Sequence, residues 1–236
     1  MTQSVHQPRA VSFDLDDTLW PCDDVIGRAE EALYDWLARH FPAITGCYSL
    51  EDMRTIRMNT AERRPELGAD LTALRRETLR AHAREFGYPE GLADAGLEVF
   101  LAERHRVVLY PDVKPVLEAL REHLPLVALT NGNACVERAG LGEYFTLALT
   151  AADVGAAKPD PALFQAACGE LGVRSGDLVH VGDDPLRDVH AARVLGAGAV
   201  WINRSGMVWP EGLRRAQHEL PDLHGIERIL RLQSTS

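Results

Sequence analysis

The stretch Val11-Ser12-Phe13-Asp14-Leu15-Asp16-Asp17-Thr18-Leu19-Trp20 sets three carboxylates within four residues directly after a short apolar run. Acidic side chains are disfavoured inside strands, so they are expected just past a strand's carboxyl end, where open α/β sheets bind their ligands. Asp14 and Asp16 are two residues apart, and continued strand geometry would project both from one face of the pleat. Carboxylates that close repel unless a cation or a shared proton intervenes. A magnesium ion suits such an all-oxygen surrounding and would also hold a phosphate oxygen. With the repulsion neutralised, Asp14 is a candidate nucleophile toward phosphorus and Asp16 a candidate proton carrier. The alternative is a strand end at which Asp16, Asp17 or Thr18 caps a helix.

Other apolar runs end in polar groups that this cluster would need. Leu126–Leu129 is followed by Thr130-Asn131-Gly132-Asn133, a turn whose hydroxyl and backbone N–H groups could hold phosphate oxygens. Lys158 lies in a loop before a predicted helix, where it is either solvated or neutralises phosphoryl group and nucleophile together. Leu178-Val179-His180-Val181 stops in Gly182-Asp183-Asp184, with Asp188 close behind. Asp183 would complete a magnesium shell with Asp14, and Asp188 would hold a metal-bound water or orient Lys158. Helix capping is the competing account of that turn. Asp14, Asp16, Asp183 and Asp188 bring four negative charges against one from Lys158, a sum that a divalent cation nearly balances.

The elements that must position these residues fall into two groups. Apolar runs at 11–13, 126–129, 147–150, 178–181 and 199–202, separated by helical segments, predict βαβ units and a parallel, Rossmann-like sheet covered on both faces. Helices are expected from Asp112 or Val113 to Glu122, from Pro161, and from Asp184 or Pro185 to near Gly196. Residues 21–107 instead show only helical periodicity. A first helix runs to about Arg39, with breaks at Pro42 and Gly46; Ser49-Leu50-Glu51-Asp52 reads as a capping box opening a second, which ends before Pro65. A third carries Leu71, Leu74 and Leu79 and ends at Gly87, and a fourth spans about Leu92 to His105. The expected organisation is an α/β core of residues 1–20 and 108–236, interrupted by an α-helical insert at 21–107, with a loose tail at Gln233–Ser236.

The 236-residue chain is 46% hydrophobic and 25% charged, ordinary for a globular protein, and carries a formal net charge of −10. That charge argues against nucleic acid and anionic membranes as partners, and no apolar run approaches a membrane span. Lacking a signal-peptide layout, the chain is expected to be cytoplasmic, as a monomer or homodimer. Cys22, Cys47, Cys135 and Cys168 form no paired motif and are expected to be reduced and structural, with Cys22 nearest the acidic cluster. The nine histidines offer no metal-spaced pair, and His180 reads as a strand residue. Arg54, Arg57, Arg63, Arg64, Arg75, Arg76, Arg80 and Arg84 read as a solvated face with helix-spaced ion pairs, or as an entrance that steers anions. Trp20 would either stack on a leaving-group ring or pack in the core.

Together, Asp14-Leu15-Asp16-Asp17-Thr18, Thr130, Lys158, and Gly182-Asp183-Asp184 with Asp188 resemble, in order, the four motifs of the haloacid dehalogenase superfamily. The resemblance implies mostly magnesium-dependent phosphatase chemistry. By it, Asp14 is the nucleophile that forms an aspartyl-phosphate, and Asp16 the general acid/base whose backbone carbonyl also binds magnesium. Thr130 and Lys158 bind phosphate with Asn131 and Gly132, Asp183 is a metal ligand, and Asp188 supports the metal shell. The helical insert is similar to the cap that covers the site in one branch. Dehalogenating members lack the second acid, so Asp16 favours phosphoryl transfer to water from a small phosphorylated metabolite. A phosphomutase, a dehalogenase or a non-catalytic binding protein of the same fold are the alternatives. Residues 125–134 and 180–184 resemble the branch that acts on ribitylaminouracil phosphate in flavin biosynthesis, FMN and sugar phosphates.

Overall fold

The computed structural model describes residues 7–230, so the expected tail at Gln233–Ser236 lies outside the described residues. In chain order the elements are β1 (Ala10–Phe13), α1 (Cys22–His40), α2 (Pro42–Cys47), α3 (Leu50–Arg63), α4 (Leu71–Glu85), α5 (Leu92–Arg104) and α6 (Val113–Arg121). There follow β2 (Leu126–Thr130), β3 (Leu147–Thr150), α7 (Ala151–Val154), α8 (Ala162–Leu171), β4 (Leu178–Gly182), α9 (Ala191–Leu195), β5 (Gly198–Ile202), β6 (His218–Leu220) and α10 (Ile226–Ile229). A wide helical turn, Pro185–His190, leads into α9.

The chain divides into two compact units, one comprising the residues up to Pro21 and from Val108 onward, the other Cys22–Val107. The first is built on a six-stranded sheet of order β3-β2-β1-β4-β5-β6, in which every pairing is parallel. Every residue of β1, β2 and β4 is buried, as expected of strands whose two faces are both covered. Phe13 is level with Ala128 of β2 and Val181 of β4, so Asp14, Thr130 and Asp183 emerge along one edge of the sheet. β1 stands where the strand order changes direction, the position at which such sheets open a ligand crevice. β6 and α7 have no counterpart in the sequence reading. Both are only three or four residues long, too short to show a period.

The second unit consists of α1 to α5 around a core that includes Leu33, Leu37, Ile44, Leu79, Ala83 and Phe100. Gly96 lets α1 and α5 approach closely: a Cβ there would come within 3.1 Å of Leu33 Cδ1 and Trp36 Cζ3. The capping box forms as read, with Ser49 Oγ accepting from Asp52 N at 3.1 Å and Asp52 Oδ2 accepting from Ser49 N at 2.9 Å. The first helix ends at His40, just before Pro42 as expected, but residues 42–47 then form the short helix α2, with Pro42 in its first turn and Ile44 buried. A proline at that position loses no helical hydrogen bond and its ring fixes φ at a helical value, so the residue that stops α1 also starts α2. The arginines follow the expectation only in part. Arg54 makes the expected helix-spaced pair with Glu51, and Arg84 pairs with Glu77 two turns earlier on α4, but Arg76 pairs with Asp94 of α5 and Arg75 is buried.

Among the described residues no helix is long and apolar enough to cross a membrane. Removing the Ser49 hydroxyl deletes one side of the capping box, and Ser49→Ala is expected to cost about 1 kcal/mol of stability. Urea denaturation followed by circular dichroism measures that difference.

Candidate active site

The extended backbone of β1 persists to Asp14, whose N–H donates to Val181 O at 2.9 Å. The chain then turns back sharply. Asp17 takes a left-handed φ of 60°, its N–H donates to Trp20 O at 2.7 Å, and Leu19 N–H donates to Leu15 O at 2.8 Å. Trp20 is fully buried and its Nε1–H donates to Asp16 Oδ1 at 2.8 Å, so it packs in the core and holds Asp16. None of Asp16, Asp17 and Thr18 begins a helix, since α1 opens only at Cys22.

Lys158 supplies the charge at the centre of the site. Its Nζ donates to Asp14 Oδ1 at 2.6 Å, Asp188 Oδ1 at 2.6 Å and Leu129 O at 2.8 Å, and the residue is 3% exposed. The loop that carries it is clamped by Asn131, whose Nδ2 donates to Lys158 O at 2.8 Å and whose Oδ1 accepts from Lys158 N at 2.7 Å. Thr130 Oγ1 accepts from Gly132 N at 2.9 Å. The amide of Asn131 and the N–H of Gly132 thus shape the loops themselves, while Thr130 is buried at the strand end.

On the opposite side, Asp188 Oδ2 accepts from Asp184 N at 2.9 Å and Oδ1 lies 3.2 Å from His180 Nε2. His180 Nδ1 in turn meets Ser12 Oγ at 2.8 Å. Gly182 makes this packing possible, because a Cβ there would stand 2.4 Å from Asp188 Cγ. Asp183 is held by Thr18 Oγ1 at 3.1 Å and, through its backbone carbonyl, by Trp201 Nε1 at 2.7 Å.

Thr18 has its own support. Arg204 donates to Thr18 O through Nη2 at 3.0 Å and grips Asp112 through Nη2 at 2.7 Å and Nη1 at 3.2 Å, with its guanidinium 3.9 Å from the Tyr110 ring centre. Sequence reasoning did not single out Arg204 or Ser12, and gave His180 and Asp112 only structural places. Arg204 lies two residues past the end of β5, so the rule that flagged the other polar residues at strand ends would have reached it.

The charges explain one another. Burial pushes the Asp14 carboxyl well above the usual carboxylate range, with Asp188 and Asp183 adding to the rise and Lys158 opposing it. Burial would raise Asp188 too, but Lys158 and His180 hold it below the ordinary value. Burial and the neighbouring Asp188 charge push Asp183 up to about 7. Desolvation lowers His180, leaving it neutral at pH 7.

Asp14, Asp183 and Asp188 each offer a carboxylate oxygen, and the three oxygens lie within 4.8 Å of one another. One ammonium cannot neutralise three carboxylates, and an all-oxygen donor set of this charge fits a hard divalent cation such as magnesium. The Asp16 carboxylate is not among the clustered three.

Residues 8–196 match the family described as haloacid dehalogenase-like hydrolase. The chain belongs to that family of hydrolases. It is 34% identical over 197 residues to the 5-amino-6-(5-phospho-D-ribitylamino)uracil phosphatase of Escherichia coli, with 82% of each chain covered. It is 40% identical over 156 residues to the phosphoserine phosphatase of Thermus thermophilus, covering 59% of this chain and 60% of that one. A crystal structure of a 2-haloacid dehalogenase from Pseudomonas syringae superposes with a TM-score of 0.89 at 39% identity, covering 95% of this chain and 98% of the other. The parallel α/β architecture of this hydrolase is therefore that of its family.

Two outcomes follow for the hydrolase. A divalent cation held by Asp183 would have to displace its proton, so the affinity for any such cation would fall by up to about tenfold per pH unit below 7. Calorimetry in buffers of different ionisation enthalpy, from pH 6 to 8, would register the released proton. Gly182→Ala would drive its Cβ into the Asp188 carboxyl and cost about 1–3 kcal/mol of stability. A denaturant midpoint, measured beside magnesium affinity, tests whether both fall together.

Proposed function

We propose that this hydrolase is a magnesium-dependent phosphatase that releases phosphate from a small phosphate monoester through a covalent intermediate on Asp14. The observation that carries the reading is the buried Lys158 ammonium held between Asp14 and Asp188 beside Asp183. Asp14 attacks phosphorus, and the bond to the leaving oxygen breaks as Asp16 delivers a proton to it. Asp16 then takes a proton from the water that cleaves the aspartyl-phosphate. The Trp20 indole fixes Asp16 for both transfers. Lys158 holds the nucleophile in one rotamer and, with Thr130, offsets charge on the phosphoryl oxygens. Magnesium, held by Asp14, Asp183, the Asp16 carbonyl and the support of Asp188, would neutralise the phosphoryl group. The helical unit serves as the cap that selects the leaving group.

The ribitylaminouracil phosphatase relative, matched along most of both chains, supports a ribityl or sugar phosphate, or FMN, as substrate class. The dehalogenase structure at 39% identity favours a second reading, displacement of halide from a 2-haloacid by the same Asp14. Asp16 weighs against it, since halide departure needs no proton donor.

A release assay separates the two. FMN, sugar phosphates, nucleotides and an aryl phosphate are incubated with and without magnesium, and 2-chloropropionate is followed for chloride. Metal-dependent phosphate release is expected, falling to background in Asp14→Asn and by about 10²–10⁴ in kcat for Asp16→Asn. Chloride release unaffected by Asp16→Asn would replace the phosphatase with the dehalogenase.

A further inference from the structure

Asp183 is held at two points, and both holds trace to the end of β5. In the register of the sheet Trp201 stands level with Gly182, and its Nε1–H donates to Asp183 O at 2.7 Å, which fixes the main chain. Trp201 is itself buried and meets the Trp209 ring edge-on, with 4.9 Å between ring centres. The carboxylate is held separately, by Thr18 Oγ1 donating to Oδ1 at 3.1 Å. Thr18 is fully buried in the turn that reverses the chain after Asp14. Branching at its Cβ makes χ1 stiff, so the hydroxyl follows the backbone that carries it.

Arg204 fixes that backbone. Its Nη2 and Nε donate to Thr18 O at 3.0 and 3.3 Å. The guanidinium is itself immobilised, because Asp112 Oδ2 accepts from Nη2 at 2.7 Å, Oδ1 accepts from Nη1 at 3.2 Å, and the Tyr110 ring centre lies 3.9 Å away. Asp112 is 3% exposed and its Oδ2 also accepts from Leu223 N at 2.8 Å. Burial would raise Asp112, but Arg204 and the Leu223 N–H more than reverse it, so the pair is ionised. A planar fork can grip a carboxylate and a carbonyl at once and in fixed directions, which the point charge of an ammonium cannot. An ion pair that served only the fold would need Asp112 alone. The two bonds to Thr18 O go beyond it, and they stand directly behind the hydroxyl that orients Asp183.

We propose that Arg204 is a positioning residue for the divalent cation: through Thr18 it holds the Asp183 carboxylate in the orientation that meets Asp14 and Asp188. Arg204 itself touches neither cation nor substrate. The inference rests on the magnesium reading above, and binding tests it without turnover.

Manganese is the probe, a divalent cation that shares the preference of magnesium for oxygen ligands and whose free form is counted by electron paramagnetic resonance. Arg204→Met alone would leave the buried Asp112 carboxylate unpaired, so the variants are built on Asp112→Asn, which keeps Arg204 on Thr18 O. In that background Arg204→Met is expected to weaken manganese binding about tenfold, as loss of an outer partner of a metal ligand does. Thr18→Val, which keeps the shape and removes the donor, should weaken it at least as much, and Thr18→Ser should restore most of it. The two losses must not multiply. With the hydroxyl gone Arg204 has nothing left to orient, so adding Arg204→Met to Thr18→Val should change the affinity no further.

Circular dichroism checks that each variant folds. Should Asp112→Asn with Arg204→Met fail to fold, Arg204→Lys in the wild-type chain keeps a charge beside Asp112 without the fork and carries the same expectation of weaker binding. Unchanged affinity in the folded Arg204 variant, or losses that multiply with Thr18→Val, would overturn the proposal and leave Arg204 as an ion pair of the fold. Failure of the wild type to bind manganese would instead overturn the magnesium reading, and the proposal with it.

Discussion

A buried ammonium between two buried carboxylates governs the sheet unit. Taking Lys158, Asp14 and Asp188 out of water costs several kcal/mol per ion, and mutual attraction offsets this only when geometry is close. Here all three donors of Nζ are satisfied between 2.6 and 2.8 Å, two by carboxylates and one by Leu129 O. That requirement fixes much else. The 158 loop must be pinned to β2, which Asn131 does, and residue 182 must lack a Cβ so that Asp188 can come close. The neutral His180 completes the cage from within β4, tied to β1 through Ser12.

The two units carry opposite imbalances. In the sheet unit three clustered carboxylates face one lysine, and burial, with the neighbouring negative charge added, raises Asp14 and Asp183. In the helical unit three arginines face one buried glutamate, and burial, with the Arg57 charge added, lowers Arg75. Both follow from one rule: a buried group that lacks its counter-ion shifts toward its neutral form. An active site is where such imbalance is useful, because a ligand of opposite charge then gains what the fold left unspent.

Much of this was legible from the chain. Apolar runs ending in Asp14, Thr130 and Asp183 announced strands and their ligand edge, since acidic residues and turn formers rarely continue a strand. The Ser49–Asp52 box gave the start of α3 to the residue, because capping is a local interaction. Pro42 marked the end of α1, and the short helix α2 that it also opens went unread because six residues show too little period. β6 went unseen for want of length, and the burial of Arg75 because a run of arginines on a helix looks solvated until its neighbours are known.

What the sequence determined by itself was the set of chemical groups and the elements carrying them, both of which depend on residue type and near-neighbour spacing. Only the tertiary structure decided which groups meet. Lys158 reaches Asp14 across 144 positions, Thr18 reaches Asp183 across 165 and Arg204 reaches Thr18 across 186. Contacts at that separation are set by strand order and register, and no local pattern encodes them. The same holds for Glu30 and Arg75, whose pairing depends on how helices pack rather than on the period within either one.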